Sequence, residues 1–177
     1  MRRKLGLGAL TLGLGAGLLA VLCAVGGCAT NPWLVDLFGP PQVEAREAYA
    51  DAGGERFDHA TFDRVLRRVV TAEGLVDYAR LRADPTGLEA YLAELAAADF
   101  EALGRDAKLA LLINAYNAFT LQLILDHWPV DSIRDVPEDE RWEAARWNIG
   151  GRRLSLDAIE HDYLRARFVE PRIHFAI

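Results

Sequence analysis

Asn114 and Asn117 lie three residues apart, with Tyr116 beside them, inside the uncharged run Leu109–Leu125. Helical spacing makes the two amides neighbours on one face. Each amide has two donors and a carbonyl acceptor, and burying one without partners costs on the order of 1–3 kcal/mol. They must therefore bond to something specific, either crossing loops or a catalytic group and its substrate. A second constellation follows Ser155. At 100° per residue, Leu156, Ile159, Tyr163, Leu164 and Phe168 share one arc, and Glu160 falls inside it. A carboxylate on that side needs a partner, with Arg172, Arg167, His161 and His174 available, and it could act as a general acid or base or orient an imidazole. His174 alternates with Ile173 and Phe175, which predicts a strand with His174 on its polar face, at the floor of a cleft.

A nucleophile is harder to find. Ser155 is placed as a helix cap, and there is no GxSxG, P-loop or Rossmann glycine pattern. His59, His127, His161 and His174 show no HExxH or other short ligand spacing, so neither a metal nor a cofactor is expected.

The elements that must position these groups are legible from periodicity. Phe62, Val65, Leu66 and Val69 predict a helix that has ended by Gly74. Asp84 and Pro85 read as the cap and first turn of a second helix, with Leu88, Tyr91, Leu92 and Leu95 as its stripe. Leu109–Leu125, between Lys108 and Asp126, is apolar nearly all round and predicts a central helix; a second membrane span is the alternative, but Asn114, Asn117 and Gln122 would be costly in lipid. Trp147–Ile149 and Arg152–Leu154 flank Gly150-Gly151 as a hairpin, and a helix from Leu156 to Phe168 closes before Pro171. The expected fold is α+β: a helix-rich single domain with a buried central helix and a small β-sheet. The apolar run reaching Ile177 predicts that this domain is truncated at its C-terminus.

The chain begins Arg2, Arg3, Lys4 and continues uncharged to Val35, a basic segment followed by an apolar one, as in export signals. Val25-Gly26-Gly27-Cys28 resembles the processing site of bacterial lipoprotein precursors, while Cys23 follows bulky Leu22 and does not fit. An uncleaved anchor is the competing reading, with Gly13 and Gly17 as a packing pair, but so many glycines make a poor permanent helix. The division expected is 1–27 signal, 28–56 tether and 57–177 domain, with Trp33, Leu34, Leu37 and Phe38 docking on the domain in preference to the alternative, dipping into the bilayer interface. Cys28 carries the lipid, placing the protein in the bacterial cell envelope; Ala29 after it allows the outer membrane. With Cys28 acylated, the mature chain has no free thiol. The net charge of -6 argues against a nucleic-acid partner.

Several segments in order resemble one family: Gly74-Leu75-Val76-Asp77-Tyr78, INAYNA from Ile113 to Ala118, Trp128–Ile133, Leu154–Asp157 with Ile159-Glu160-His161, and Pro171–Ala176. They are similar to the DUF547 family from about Phe57 to Ile177. In that family the last motif continues into Asn-Cys-Ala-Ser, so the resemblance implies a cysteine beyond residue 177. It loosely implies a thiol hydrolase or acyltransferase, with His174 and Glu160 as catalytic groups. Asn114, Tyr116, Asn117, His161 and Arg172 would bind or orient the substrate. A non-catalytic binding or structural module of the envelope is the alternative.

Overall fold

The computed structural model describes residues 46–49 and 53–177. The signal segment, Cys28 and the Trp33–Phe38 docking segment lie outside the described residues.

Helix α1 (Ala60–Val69) turns Phe62, Val65 and Val69 inward, and its exposed side carries the Asp63–Arg67 pair. The chain reverses through Gly74, pairs Val70 with Val76, and enters α2 (Tyr78–Ala83), whose first turn is capped by Asp77 accepting from the Arg80 N–H. Helix α3 (Thr86–Ala97) starts one residue after Pro85, and the Asp84 carboxylate accepts from the Thr86 N–H and hydroxyl. Its stripe Leu88, Tyr91 and Leu95 is fully buried. The Phe62 and Tyr91 rings stack at 4.7 Å, and the Tyr91 hydroxyl lies 2.8 Å from His59 Nδ1.

The central helix is α4 (Arg105–Asp126), with Leu111, Leu112, Ala115, Tyr116, Ala118, Phe119, Leu121, Leu123 and Ile124 buried. It is long and apolar enough to cross a membrane by length and composition, and here those properties serve the core. Its first turn departs from expectation. Lys108, read from sequence as the charged boundary of the helix, is itself buried. Its ammonium donates to the carbonyls of Glu101 and Leu103 and lies 5.3 Å from the Tyr49 ring and 5.5 Å from that of Phe100.

The tether expected over 28–56 is not free at its C-terminal end. Arg46 and Ala48 donate backbone N–H groups to the carbonyls of Ala166 and Arg167, Glu47 pairs with Arg105, and Tyr49 packs on Phe168 and Phe100. Glu55 forms a parallel bridge with Leu103. The aromatic face of Tyr49 and the charge of Glu47 account for this docking.

After a 3₁₀ turn at Ile133–Asp135 and the short helix α5 (Glu138–Arg141), strands β1 (Trp147–Ile149) and β2 (Arg152–Leu154) form the sheet, antiparallel, with Trp147 opposite Leu154. Gly150 and Gly151 both adopt positive φ, 56° and 79°, the turn geometry that the strand twist favours. Their N–H groups donate to the carbonyls of Leu95 and Ala96, so the turn satisfies the end of α3. A Cβ at Gly150 would sit 2.7 Å from the Ala98 carbonyl oxygen, which excludes larger residues there. Trp147 stacks on Phe119 at 4.9 Å. The fold is thus α+β, with the hairpin covering one side of the central helix.

Ser155 caps α6 (Leu156–Ala158) by accepting from the Ala158 N–H. The helix then widens into a π-helix over Ile159–Arg165. The predicted terminal strand is absent: Pro171–Phe175 is a 3₁₀ helix, with Glu170 accepting from the Arg172 N–H at its start. Proline at the first turn and this side-chain cap favour a turn, and among the described residues no strand pairs with the segment. Only Ile173 is buried, whereas Phe175 is 88% exposed.

Candidate functional site

The π-helix sets the geometry. Residues five apart lie over one another in that register, whereas an α-helix aligns residues three and four apart. Glu160 and Arg165 are five apart, and Arg165 Nη2 lies 2.6 Å from Glu160 Oε1. This is the partner that Glu160 takes, in place of Arg172, Arg167, His161 or His174. The other carboxylate oxygen accepts from the Tyr116 hydroxyl at 3.3 Å. Arg165 Nη2 also lies 3.1 Å from His174 Nδ1. A continuous polar chain therefore runs from buried Tyr116 through Glu160 and Arg165 to the exposed imidazole of His174.

Arg172 does not join it. Its guanidinium is held by the Glu170 carboxylate at 2.5 and 2.7 Å, and its side chain is largely exposed. His174 sits on the 3₁₀ turn and not on a strand, so it does not form the floor of a cleft. Asn117 donates to the Ala176 carbonyl at 2.9 Å and ties this turn to α4. Asn114 is half-buried, and among the described residues its side chain makes no hydrogen bond.

A cavity of about 200 Å³ opens beside the chain, lined by Tyr116, Trp142, Asp157, Glu160 and His161. The Asp157 N–H donates to the Trp142 carbonyl at 3.0 Å, joining two of its walls. Sequence reading finds Tyr116, Glu160 and His161 but misses Arg165, Trp142 and Asp157. Asp157 lies four residues before His161, a spacing that was available as a signal. Arg165 gives none, because no α-helical rule pairs positions five apart.

The two histidines have opposite polarity. His161 Nδ1 faces the Asp157 carbonyl and carboxylate oxygens, each at 3.2 Å. Both are acceptors, so Nδ1 carries the proton and the neutral ring presents its lone pair at Nε2. His174 Nδ1 faces a guanidinium, which only donates, so its neutral ring carries the proton at Nε2.

Burial, followed by the nearby Glu160 carboxylate, pushes the Tyr116 hydroxyl up to about 12 from 10.0. The folded state thus holds this proton more tightly than the unfolded chain. Its contribution to stability is fully present below pH 10 and is lost as pH rises toward 12. In an alkaline titration, the tyrosinate absorbance step near pH 12 is expected to vanish in Tyr116→Phe. An unchanged profile would contradict the buried placement.

No curated protein and no solved structure matches the chain. Residues 100–177 match the family described as "Protein of unknown function, DUF547", a span that includes Tyr116, Glu160, Arg165 and His174 but not the Gly74–Tyr78 segment.

Proposed function

We propose that this protein is a cell-envelope lipoprotein, held at the membrane by lipid on Cys28, whose DUF547-like domain hydrolyses or transfers acyl groups with a thiol. The observation that carries the reading is the Tyr116–Glu160–Arg165–His174 chain. A guanidinium fixed by a carboxylate holds an imidazole with its Nε2–H outward, a suitable donor to a developing oxyanion or a leaving group. Nearby His161, with Nδ1 turned to Asp157, keeps Nε2 for a hydrogen bond to the substrate. In this reading the nucleophile is the cysteine of the Asn-Cys-Ala-Ser run that follows the last motif in the resembled family. Glu160 and His174 are the catalytic groups, and Tyr116, Asn114, Asn117 and His161 orient or bind the substrate. Ala29 after Cys28 is compatible with an outer-membrane destination, and the acidic charge leaves the lipid as the membrane attachment.

The test is made on protein purified from its native membrane. Intact mass is expected to show acyl chains on Cys28, and alkylation against pH is expected to show a thiol ionising well below about 8.5. A non-acylated Cys28, or the absence of such a thiol, would overturn the respective half of the reading. A binding module of the envelope is the second reading. Arg165 on His174 favours it, because an imidazole locked as a donor is also a recognition element.

A further inference from the structure

The cavity beside the polar chain has a chemical bias of its own. The Tyr116 proton is directed to Glu160 Oε2, and the Nδ1 proton of His161 is directed to Asp157. Apart from the Trp142 indole N–H, what the lining groups still offer is lone pairs: the carboxylates of Asp157 and Glu160, the Tyr116 oxygen and His161 Nε2. Arg165 offsets one charge, from the Glu160 Oε1 side, and it does not line the cavity. An anion or a carbonyl group would meet a single donor there, the Trp142 indole N–H, beside two carboxylates, and would lose most of its hydration without replacement. A primary ammonium group brings three donors and a positive charge, and Trp142 and Tyr116 add aromatic walls against which a cation is favourable. The volume of about 200 Å³ is small beside that of pockets enclosing a whole ligand, roughly 300–1,000 Å³, and fits the end of a chain.

We propose that this cavity is a subsite for a primary ammonium group borne by the substrate on a short alkyl chain, as at the end of a lysine side chain. The proposal names the substrate class of the site and rests on the acyl-transfer reading for its use: the acyl compound processed here carries a free amine. Asp157 supplies the exposed charge, Glu160 the semi-buried one, and His161 Nε2 a third acceptor. No proton need move for binding.

The experiment uses the full chain and n-butylammonium chloride, with n-butanol and sodium butyrate as controls at matched ionic strength. NMR follows the Trp142 indole and the His161 ring. Butylammonium is expected to shift both signals saturably, with neither control doing so. Asp157→Asn should weaken binding about tenfold or more, the usual scale for losing one charge-assisted hydrogen bond. Because Asp157 sits in the first turn of α6, Trp142→Leu provides a second variant, also expected to weaken binding, with thermal melting confirming that both variants fold. Equal shifts from butanol or butyrate, or no saturable shift, would overturn the proposal. Amine binding in a protein that turns over no acyl substrate supports the subsite and removes only the acyl-transfer reading. Acyl turnover with no amine binding removes only the subsite.

Discussion

Phe119→Ala is expected to lower the unfolding free energy by about 3–5 kcal/mol, the range for truncating a buried aromatic side chain. Phe119 is 2% exposed at the middle of α4, and its ring stacks on Trp147 of β1 at 4.9 Å with 17° between planes. It is therefore the point where the central helix and the hairpin share a surface. The hairpin turn also supplies the donors that finish α3, so loosening β1 loosens two elements at once. The remaining space is bounded by rigid helix and sheet backbone, which limits collapse into it. Urea unfolding should show a lower midpoint with little change in slope, and Phe119→Leu should recover most of the loss. A change below about 1 kcal/mol for the alanine variant would mean that the site repacks and that the stacked pair contributes little.

Glu160→Gln is expected to reduce acyl turnover by about 10²–10⁴-fold, the contribution typical of a positioned acid–base group, while moving the melting temperature little. Glutamine keeps the volume and an acceptor for Tyr116, but it removes the charge that holds Arg165. Arg165 is then free to leave His174, and the imidazole loses its fixed direction. The His174 ring signals in an NMR spectrum of the variant separate this from a structural loss, because they should shift with the release of Arg165 while the far-UV spectrum stays the same. Turnover within about threefold of the parent protein would remove Glu160 from the machinery.

The central helix, the hairpin and the Ser155 cap were legible because each has a local cause. They follow from an unbroken apolar run, a pair of glycines that accept positive φ, and a hydroxyl before a helix. The terminal segment was not legible, since Ile173, His174 and Phe175 alternate as a strand would, while Pro171 and Glu170 impose a turn that alternation does not register. Lys108 misled for another reason: a lysine at a helix end normally marks the surface, and only the carbonyls of Glu101 and Leu103 give it a reason to be inside. The candidate site was half readable. Glu160 follows from an α-helical arc, and Tyr116 and His161 from their place beside the asparagines and in the resembled motifs, but Arg172 is a natural partner for Glu160 only if the last segment is a strand. Arg165 was hidden by the change of register itself.

The π-helix also makes chain length a functional property of this segment. Ile159, Leu164 and Phe168 face the core, while Glu160 and Arg165 form the polar pair, and one helix satisfies both only because its winding changes between them. Deleting one residue between Glu160 and Arg165 would restore ordinary α-helical hydrogen bonding and leave the pair four apart, a spacing at which an α-helix also keeps side chains adjacent. Ile159 and Leu164 would likewise become four apart, so the core face and the polar pair would keep their alignment. Substitutions here are local events, whereas a further insertion, or a deletion where the winding is already α-helical, would turn the core face and the site together by about 100°.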